Sequence, residues 1–299
     1  MQNITPVRAS QSQAPPTVGL PAREIAPETA SPSPSLAPLI KWPGGKRWLA
    51  AEVARLGAGH AARFIEPFCG GAAAFFFLRP QRALLCDLNA DLINAYQVVA
   101  EKPESVISAL QSLSNCAATY YKVRASHPKA PLSQAVRFLY LTRLSFNGIY
   151  RVNLDGEFNV PYGWKQTLPV VEPEHLRRCA EALSNATLVA QDFRTTFEMA
   201  EAQDFIYADP PYTVAHNNNG FVKYNERIFC WEDQIALADA ALRAVNRGVQ
   251  VVVSNAVHRD LQALYPSFQY RKVERYSSVS ALASGRRRVS ESLLVGGVA

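Results

Sequence analysis

The segment Asp209-Pro210-Pro211-Tyr212 combines residue types that suit chemistry on a planar amine. The Asp209 carboxylate and the Pro210 carbonyl can accept hydrogen bonds from an amino group, while the two prolines fix the backbone and have no N–H donors. Tyr212 offers an aromatic face on which a base can stack. Together these groups suit a nucleobase that is turned out of its helix with its exocyclic amine ready to react. Taken alone, the four residues also fit a proline-rich turn without a function.

The pattern around this segment places it at the end of a strand. It follows Asp204–Tyr207, one of several short apolar runs that have the form of buried strands. The others are Arg63–Glu66, Ala83–Cys86, Thr187–Ala190 and Val249–Val253. Helical patterns such as 89–101 and 231–246 alternate with these runs, which predicts an α/β fold with a mostly parallel sheet and helices on both faces. Sheets of this kind place their sites at the carboxyl ends of the strands.

The last two strand candidates are Phe268–Val273 and Ser292–Val295. Only a basic loop separates them, so no crossover helix can connect them as it would connect parallel neighbours. We therefore expect an antiparallel hairpin at the edge of the sheet.

Composition and pattern divide the chain into three parts. Residues 1–37 are rich in Pro, Ser, Ala and Gln and contain no aromatic residue, which predicts a disordered tail. Residues 38–103 and 186–299 carry the strand–helix alternation, and we interpret them as one domain. Residues 104–185 interrupt the alternation, and we interpret them as an inserted, mainly helical subdomain.

The insert has features of a surface that binds nucleic acid. A hairpin-like segment at 149–161 has Asp155-Gly156 at its turn. Between 119 and 178 there are nine Lys or Arg against four Asp or Glu. Aromatic residues accompany them: Tyr120, Tyr121, Phe146, Tyr150 and Trp164. A solvated charged face is the alternative, but basic and aromatic residues together favour a nucleic-acid surface.

Three short segments before the insert are suited to a bound cofactor. Gly70 and Gly71 follow the first strand, and a glycine pair lets the backbone turn tightly and approach a ligand. Asp87 ends the second strand about twenty residues later, where an acidic side chain is well placed for ribose hydroxyls. Trp42 and Lys46 precede both and offer a stacking surface and a cation. Each feature also has a structural explanation, as a common strand-to-helix turn, a helix N-cap or an ordinary loop.

Overall composition excludes several classes of protein. Lys and Arg number 31 against 25 Asp and Glu, which gives a formal net charge of +6 and a pI of about 9.1. This modest excess is compatible with a polyanionic partner without requiring one. The five cysteines form no C-x-x-C pair, which argues against a disulfide framework or a zinc site and favours a reducing compartment. Without an apolar run of about 18 residues or a secretory signal pattern, we expect a cytoplasmic protein with no metal and no membrane contact.

Six motifs, taken in chain order, resemble those of the Dam-type (alpha-class, D12 family) DNA adenine-N6 methyltransferases, over roughly residues 39–297. They are Lys41-Trp-Pro-Gly-Gly-Lys46, Phe64-Ile-Glu-Pro-Phe-Cys-Gly-Gly71, Asp87-Leu-Asn-Ala-Asp-Leu-Ile-Asn94, Arg143-Leu-Ser-Phe-Asn-Gly-Ile-Tyr-Arg-Val-Asn153, Gly156-Glu-Phe-Asn-Val-Pro161 and Asp209-Pro-Pro-Tyr212. The order is also that of the class: cofactor motifs, then target recognition, then the catalytic motif. The resemblance implies a Rossmann-like methyltransferase fold, S-adenosylmethionine as cofactor and double-stranded DNA as substrate, within a short site such as GATC. We expect a monomer of bacterial or phage origin.

The resemblance implies a role for each matching residue. Trp42 and Lys46 would flank the methionine part of the cofactor, Asp87 would hold its ribose hydroxyls, and Asp192 with Phe193 would contact its adenine. The full expected cofactor set is Trp42, Lys46, Glu66, Phe68, Gly70, Asp87, Asp192, Phe193 and Asp209. The expected catalytic set is Asp209, Pro210, Pro211 and Tyr212.

The expected DNA-binding residues lie in the insert and near the C-terminus. Asn147 and Arg151 are chemically suited to base edges, Asn to adenine and Arg to guanine. Tyr150 could insert as a wedge between stacked bases. Arg286, Arg287 and Arg288 are suited to phosphate. The full set is Asn147, Tyr150, Arg151, Asn153, Arg286, Arg287 and Arg288.

Two other interpretations stay open on the sequence alone. The first is a methyltransferase that acts on RNA or on a protein amide, but Asp209 and the motif order favour DNA adenine. The second is a DNA-binding protein that has lost catalysis. Against it, Lys46, Asp87, Asp209 and Tyr212 are all present.

Overall fold

A single, mostly parallel sheet carries the fold. The computed structural model describes residues 36–58, 61–153, 155–212, 229–276 and 288–297. Its strands are β1 (Phe64–Glu66), β2 (Ala83–Asp87), β3 (Ala186–Ala190), β4 (Phe205–Ala208), β5 (Gln250–Ala256), β6 (Gln269–Tyr276) and β7 (Arg288–Gly296). They lie in the order β3-β2-β1-β4-β5-β7-β6. Strand β7 runs antiparallel to β5 and to β6, and the other pairs are parallel. The predicted parallel sheet and its antiparallel hairpin at one edge are both confirmed.

Helices cover both faces of the sheet. Those of the described ranges are α1 (Ala50–Arg55), α2 (Ala73–Leu78), α3 (Ala90–Glu101), α4 (Pro103–Gln111), α5 (Ala117–Arg124), α6 (Pro131–Leu144), α7 (Pro173–Leu183), α8 (Phe193–Glu198), α9 (Trp231–Asn246) and α10 (Arg259–Ala263). Proline begins α4, α6 and α7, because its fixed φ suits the first helical position, where an N–H would have no partner. Asn89 caps α3 by accepting a hydrogen bond from Leu92 N at 3.1 Å. No helix within the described ranges has both the length and the apolar character needed to cross a membrane.

Successive residues of the central strands pack into two different hydrophobic clusters. Phe64 and Phe205 belong to the cluster on one face, whereas Ile65 and Ile206 belong to the cluster on the other. Side chains of a strand alternate between faces, so a strand with helices on both sides must be apolar throughout. This is why the strands appear in the sequence as continuous apolar runs.

The order of the sheet reverses between β1 and β4. From β1 the chain moves outward to β2 and β3, and then returns to the other side of β1 to form β4 and β5. A crevice opens at the carboxyl ends of the strands at such a reversal. The segments that follow β1 and β4, which carry Glu66–Gly71 and Asp209–Tyr212, therefore meet there.

The helices of the predicted insert share the main core. Helices α6 and α7 pack on α3, and the described residues from Leu36 onward belong to one compact unit. A functional division at 104 and 185 stays a prediction. Leu36 is only 3% exposed and belongs to the core, so the folded chain extends into the predicted tail. The rest of that tail, the segment 213–228 and Arg286 with Arg287 lie outside the described residues.

Candidate active site

Three distant parts of the chain converge at the carboxyl end of β4. Lys46 comes from the loop before α1, Tyr212 from the segment after β4, and Glu291 from β7. The Lys46 ammonium donates to the Tyr212 hydroxyl at 2.5 Å and lies 3.1 Å from Glu291 Oε2. The Tyr212 hydroxyl in turn donates to Glu291 Oε2 at 2.8 Å. The same ammonium lies 4.3 Å from the centre of the Tyr212 ring.

The Asp209 carboxylate is held by one of its two oxygens. Ser254 Oγ donates to Asp209 Oδ1 at 2.7 Å, and the Lys46 ammonium lies 3.5 Å from the same oxygen. Tyr207 OH lies 3.2 Å from Ser254 Oγ and extends this chain of hydroxyls. Within the described ranges no hydrogen bond ends on Asp209 Oδ2 or on the Pro210 carbonyl. The two acceptors that the sequence singles out are therefore open to a donor from a substrate.

Burial and charge shift the acidity of these groups. Burial raises the pKa of the Asp209 carboxyl, Lys46 opposes the shift, and Glu291 adds to it. Burial, together with the charge of Asp209, raises the pKa of the Glu66 carboxyl well above its ordinary value. Glu66 Oε2 is buried and has no hydrogen-bond partner among the described residues. An acceptor in this state at the end of β1 fits a ligand that brings its own donor.

Asp87 braces the loop that follows β1. Its Oδ2 accepts from Gly70 N at 3.0 Å and its Oδ1 from Asn89 N at 2.9 Å. The helix cap itself is Asn89, so Asp87 is not used as the cap. Each carboxylate oxygen can accept a second hydrogen bond. Asp87 therefore keeps acceptor capacity at the place where ribose hydroxyls are expected.

The glycine pair is required by Trp42. A Cβ on Gly70 would lie 2.7 Å from Trp42 Cδ1, and a Cβ on Gly71 would lie 3.1 Å from Trp42 Cβ. The Trp42 ring also stacks on Tyr150, with 5.3 Å between ring centres. We expected these glycines to let a ligand come close to the backbone. In the described structure, the side chain of Trp42 lies against the backbone at this place.

Three phenylalanines form a second aromatic group beyond the ends of β1 and β3. Phe68 packs on Phe193 at 5.2 Å between ring centres, and Phe229 contacts both. Asp192 caps α8 by accepting from Arg194 N and also pairs with the Arg194 guanidinium at 3.1 Å. Phe68, Phe193 and Asp192 thus lie together, as expected for one end of a cofactor site, although contact with a cofactor stays a prediction.

The structure distributes the predicted DNA-binding residues unevenly. Asn147 is exposed in a left-handed turn at φ 56°, and Arg151 is exposed with its Nε donating to Asn159 Oδ1 at 2.8 Å. Asn153 uses its side-chain oxygen to accept from Asp155 N and Glu157 N, so it holds the hairpin turn. The predicted hairpin is present as a single antiparallel bridge between Val152 and Phe158.

Tyr150 is packed among other aromatic rings. It contacts Trp42, Phe138 and Phe158, a position that ties the hairpin to the loop of Trp42. Phe146, which precedes Asn147, is 52% exposed and is the aromatic residue of this turn that faces solvent. Of the arginines near the C-terminus, Arg288 begins β7, and its side chain is outside what the structure describes.

Basic residues that the sequence interpretation missed line a cavity of about 430 Å³ beside the turn. Lys41, Arg143 and Lys165 all contribute to its wall. Burial and the neighbouring charges of Lys41 and Arg143 lower the pKa of Lys165. Lys41 also packs against the turn, since a Cβ on Gly148 would lie 2.9 Å from its Cδ.

A sequence model of the D12 class of N6 adenine-specific DNA methyltransferases matches residues 42–279. The match spans more than half of the chain and includes both Lys46 and the segment Asp209–Tyr212. The chain belongs to this class. Its substrate is DNA, and its reaction is methylation of adenine at N6 with a methyl donor.

Curated relatives agree with the D12 assignment. The chain is 34% identical over 270 residues to the type II methyltransferase M1.LlaDCHI of Lactococcus lactis subsp. cremoris, and the alignment covers 87% of this chain and 95% of that protein. It is 33% identical over 261 residues to the DNA adenine methylase of Escherichia coli strain K12, and the alignment covers 85% of this chain and 93% of that protein. It is 30% identical over 282 residues to the type II methyltransferase M.MjaIII of Methanocaldococcus jannaschii, and the alignment covers 86% of this chain and 98% of that protein.

In this D12 methyltransferase, two polar residues at the site escaped the sequence interpretation. Ser254 and Glu291 lie on β5 and β7, far from Asp209 in the chain, and neither belongs to a recognised motif. The available signal was a charged residue within the strand Ser290-Glu291-Ser292, since a central strand has little use for an unpaired charge. The described residues contain no group of three His, Cys, Asp or Glu arranged to hold a metal ion.

Replacing Gly70 by alanine is expected to displace Trp42. The new Cβ would overlap the indole ring, and overpacking of this kind costs about 1–3 kcal/mol beyond the backbone strain at φ 45°. Gly44→Ala is the matched control, because Gly44 has φ 79° but no atom within 4 Å of the position that the new methyl group would take. Urea unfolding should show a larger loss for Gly70→Ala, whereas equal losses would contradict the close contact with Trp42.

Glu66→Gln is expected to stabilise the folded protein in a pH-dependent way. The folded state holds the Glu66 proton to a higher pH than the unfolded chain, so the unfolded state loses that proton first and stability falls as pH rises above about 4.3. Glutamine has no such proton, so its advantage should be absent below that pH and grow by up to about 1.4 kcal/mol per pH unit above it. Urea unfolding of both proteins at a series of pH values measures the difference in stability, and a difference that does not change with pH would refute the raised pKa of Glu66.

Proposed function

We propose that this chain moves a methyl group from S-adenosylmethionine to the N6 amine of an adenine that is turned out of duplex DNA. The observation that carries the proposal is the pair of open acceptors, Asp209 Oδ2 and the Pro210 carbonyl, beside the anchored ring of Tyr212. They lie in the crevice at the reversal of strand order, which is where a sheet of this kind binds its ligands. An adenine amine has two N–H donors, which matches the two acceptors.

The residues around β1, β2 and β3 fit the proposed cofactor. Glu66 Oε2 is a buried acceptor without a partner among the described residues, and it suits the cofactor's ammonium group. Asp87 retains acceptor capacity for ribose hydroxyls, and Phe68 with Phe193 provides aromatic surface for a planar base. When bound, S-adenosylmethionine supplies a methyl group on a positively charged sulfur. The excess of carboxylates over cations at the site favours that positive charge.

The chemistry requires orientation more than a strong base. One bond forms between adenine N6 and the methyl carbon, the bond between that carbon and sulfur breaks, and N6 loses one proton. The lone pair of the amine is delocalised into the ring, so the amine is a poor nucleophile. Asp209 and the Pro210 carbonyl would hold both N–H groups and aim the lone pair at the methyl carbon. The charge of Asp209 would stabilise the positive charge that develops on N6, and Asp209 Oδ2 would accept the proton.

Such an arrangement can act only on a base that has left its stack, because Asp209 and Tyr212 lie in a crevice. The exposed turn around Phe146 and Asn147 supplies groups for the DNA side. Phe146 is better placed than the packed Tyr150 to enter the base stack, and Asn147 and Arg151 are suited to base edges. The cavity of Lys41, Arg143 and Lys165 suits the phosphate backbone. We propose GATC, the site that the resemblance implies, as the first target to test.

Methyl transfer from labelled S-adenosylmethionine to unmethylated DNA tests the proposal, with sequencing that maps N6-methyladenine. Methylation confined to GATC would support both donor and site, whereas another motif would revise the site alone. Asp209→Ala is expected to lose about 100-fold or more of the rate, because an acceptor at the reacting amine is lost. Asp239→Ala, which removes an exposed carboxylate of α9, is the control and should keep the wild-type rate. Near-normal turnover of Asp209→Ala would refute the catalytic assignment.

Arg151→Ala tests the recognition turn separately. If Arg151 reads a guanine edge, its loss should reduce the preference for the correct base by about 1–3 kcal/mol at one position of the site. Arg178→Ala, at an exposed arginine of α7, is the comparison. Rates on duplexes that differ at single positions measure the preference. An unchanged preference in Arg151→Ala would refute base reading by Arg151 and would leave its hydrogen bond with Asn159 as its role.

A further inference from the structure

Strand β7 brings a buried carboxylate to the catalytic segment. Glu291 is 5% exposed and pairs with Ala256 of β5 across the sheet. Alternation along β7 places it on the same face as Leu293 and Val295, which belong to the core cluster of Tyr207. A charged residue at such a position is costly unless it is paired. Its partners among the described residues are Lys46 and Tyr212.

The Tyr212 hydroxyl is held from both sides. It accepts from the Lys46 ammonium at 2.5 Å and donates to Glu291 Oε2 at 2.8 Å. Tyr212 lies in neither a helix nor a strand, so the backbone alone does not fix its ring. These two hydrogen bonds restrict where the hydroxyl end of the ring can lie.

Glu291 also controls the charge near Asp209. The Lys46 ammonium lies 3.1 Å from Glu291 but 3.5 Å from Asp209 Oδ1. Without Glu291, the same ammonium would face Asp209 as its sole carboxylate partner within the described site. A direct ion pair would draw Asp209 toward Lys46 and weaken it as an acceptor. Sharing Lys46 between two carboxylates keeps Asp209 Oδ2 open.

We propose that Glu291 is a positioning residue for methyl transfer. It anchors the Tyr212 hydroxyl and takes up Lys46, so that the ring is fixed as the stacking face and Asp209 keeps one oxygen for the adenine amine. The proposal rests on the assignment of Asp209 and Tyr212 under the proposed function. It extends that function to a residue on β7 that need not touch the substrate.

The first test compares Glu291→Gln with Glu274→Gln. Glu274 lies on the adjacent strand β6, where it pairs with Lys272 and accepts from Ser290 Oγ, away from the site. Glu291→Gln is expected to lower kcat by about 10- to 100-fold, the effect of losing a hydrogen bond to a charged group, with KM for DNA changed less than about threefold. Glu274→Gln should stay within about twofold of wild type. A normal kcat in Glu291→Gln would overturn the proposal.

The second test separates positioning from a structural role. Tyr212→Phe keeps the ring and removes the anchored hydroxyl, and it is expected to lose about tenfold in kcat. Glu291→Gln added to Tyr212→Phe should then cost much less than it does alone, because residues that act as a unit are not additive. Fully additive losses, or a wild-type kcat in Tyr212→Phe, would overturn the anchoring role. Tyr212→Phe also serves if Glu291→Gln fails to fold, since it leaves the Lys46–Glu291 pair in place.

Asp209→Ala, run in the same assay, distinguishes failure of the Glu291 role from failure of the catalytic assignment. If Asp209→Ala is inactive while Glu291→Gln and Tyr212→Phe are normal, only the role of Glu291 fails. If Asp209→Ala is active, the catalytic assignment fails as well. A duplex with 2-aminopurine at the target position adds a readout of base stacking: its fluorescence in the complex should differ between Glu291→Gln and wild type if the Tyr212 ring has moved. An unchanged signal would count against displacement of the ring.

Discussion

The ammonium group of Lys46 is shared by two carboxylates and a phenol, and the arrangement of the site depends on it. Only 8% of its surface is exposed, and an unpaired charge at that depth would cost several kcal/mol. Two of its partners, Asp209 and Tyr212, lie in the segment after β4, and the third, Glu291, lies on β7. All three follow Lys46 in the chain by more than 160 residues. Satisfying this one cation therefore ties the loop before α1 to β4 and to β7.

The same loop connects the proposed reaction site to the proposed DNA-binding side. Trp42 packs against Gly70 of the loop after β1 and stacks on Tyr150 of the hairpin-like segment at 149–161. Next to it, Lys41 contacts Gly148 in the exposed turn, while Lys46 reaches Tyr212. Within the six consecutive residues 41–46, side chains thus touch the expected cofactor loop, the proposed catalytic segment and the proposed recognition turn. Close packing transmits a displacement of any one of them to the others.

The acidic character of the site follows from the proposed reaction. Burial raises the pKa of Glu66 and of Asp209, the charge of Asp209 adds to the rise at Glu66, and the charge of Glu291 adds to the rise at Asp209. A sulfonium methyl donor carries positive charge that passes to the attacking nitrogen. Carboxylates placed around that path favour the charge throughout, and Lys46 limits their mutual repulsion without cancelling it.

The sequence by itself determined the strands and their parallel arrangement, and it singled out the segment Asp209–Tyr212. Periodicity and apolar runs are local properties, so Asp204–Tyr207 and the helix at 231–246 could be located without the fold. The motif residues Lys46, Asp87 and Asp209 were found because they lie in compact segments of fixed order. The family followed from those segments.

The tertiary structure alone decided which residues meet across long separations. Ser254 reaches Asp209 because β5 lies beside β4, and Glu291 reaches Tyr212 because β7 lies beside β5; strand order is not written in any one strand. Packing likewise assigned Tyr150 to the Trp42 cluster and left Phe146 exposed, although both are aromatic residues of the same segment. Residue type shows what a side chain can do, but its neighbours in space decide which of those capacities remain open, because burial and pairing are properties of the whole fold.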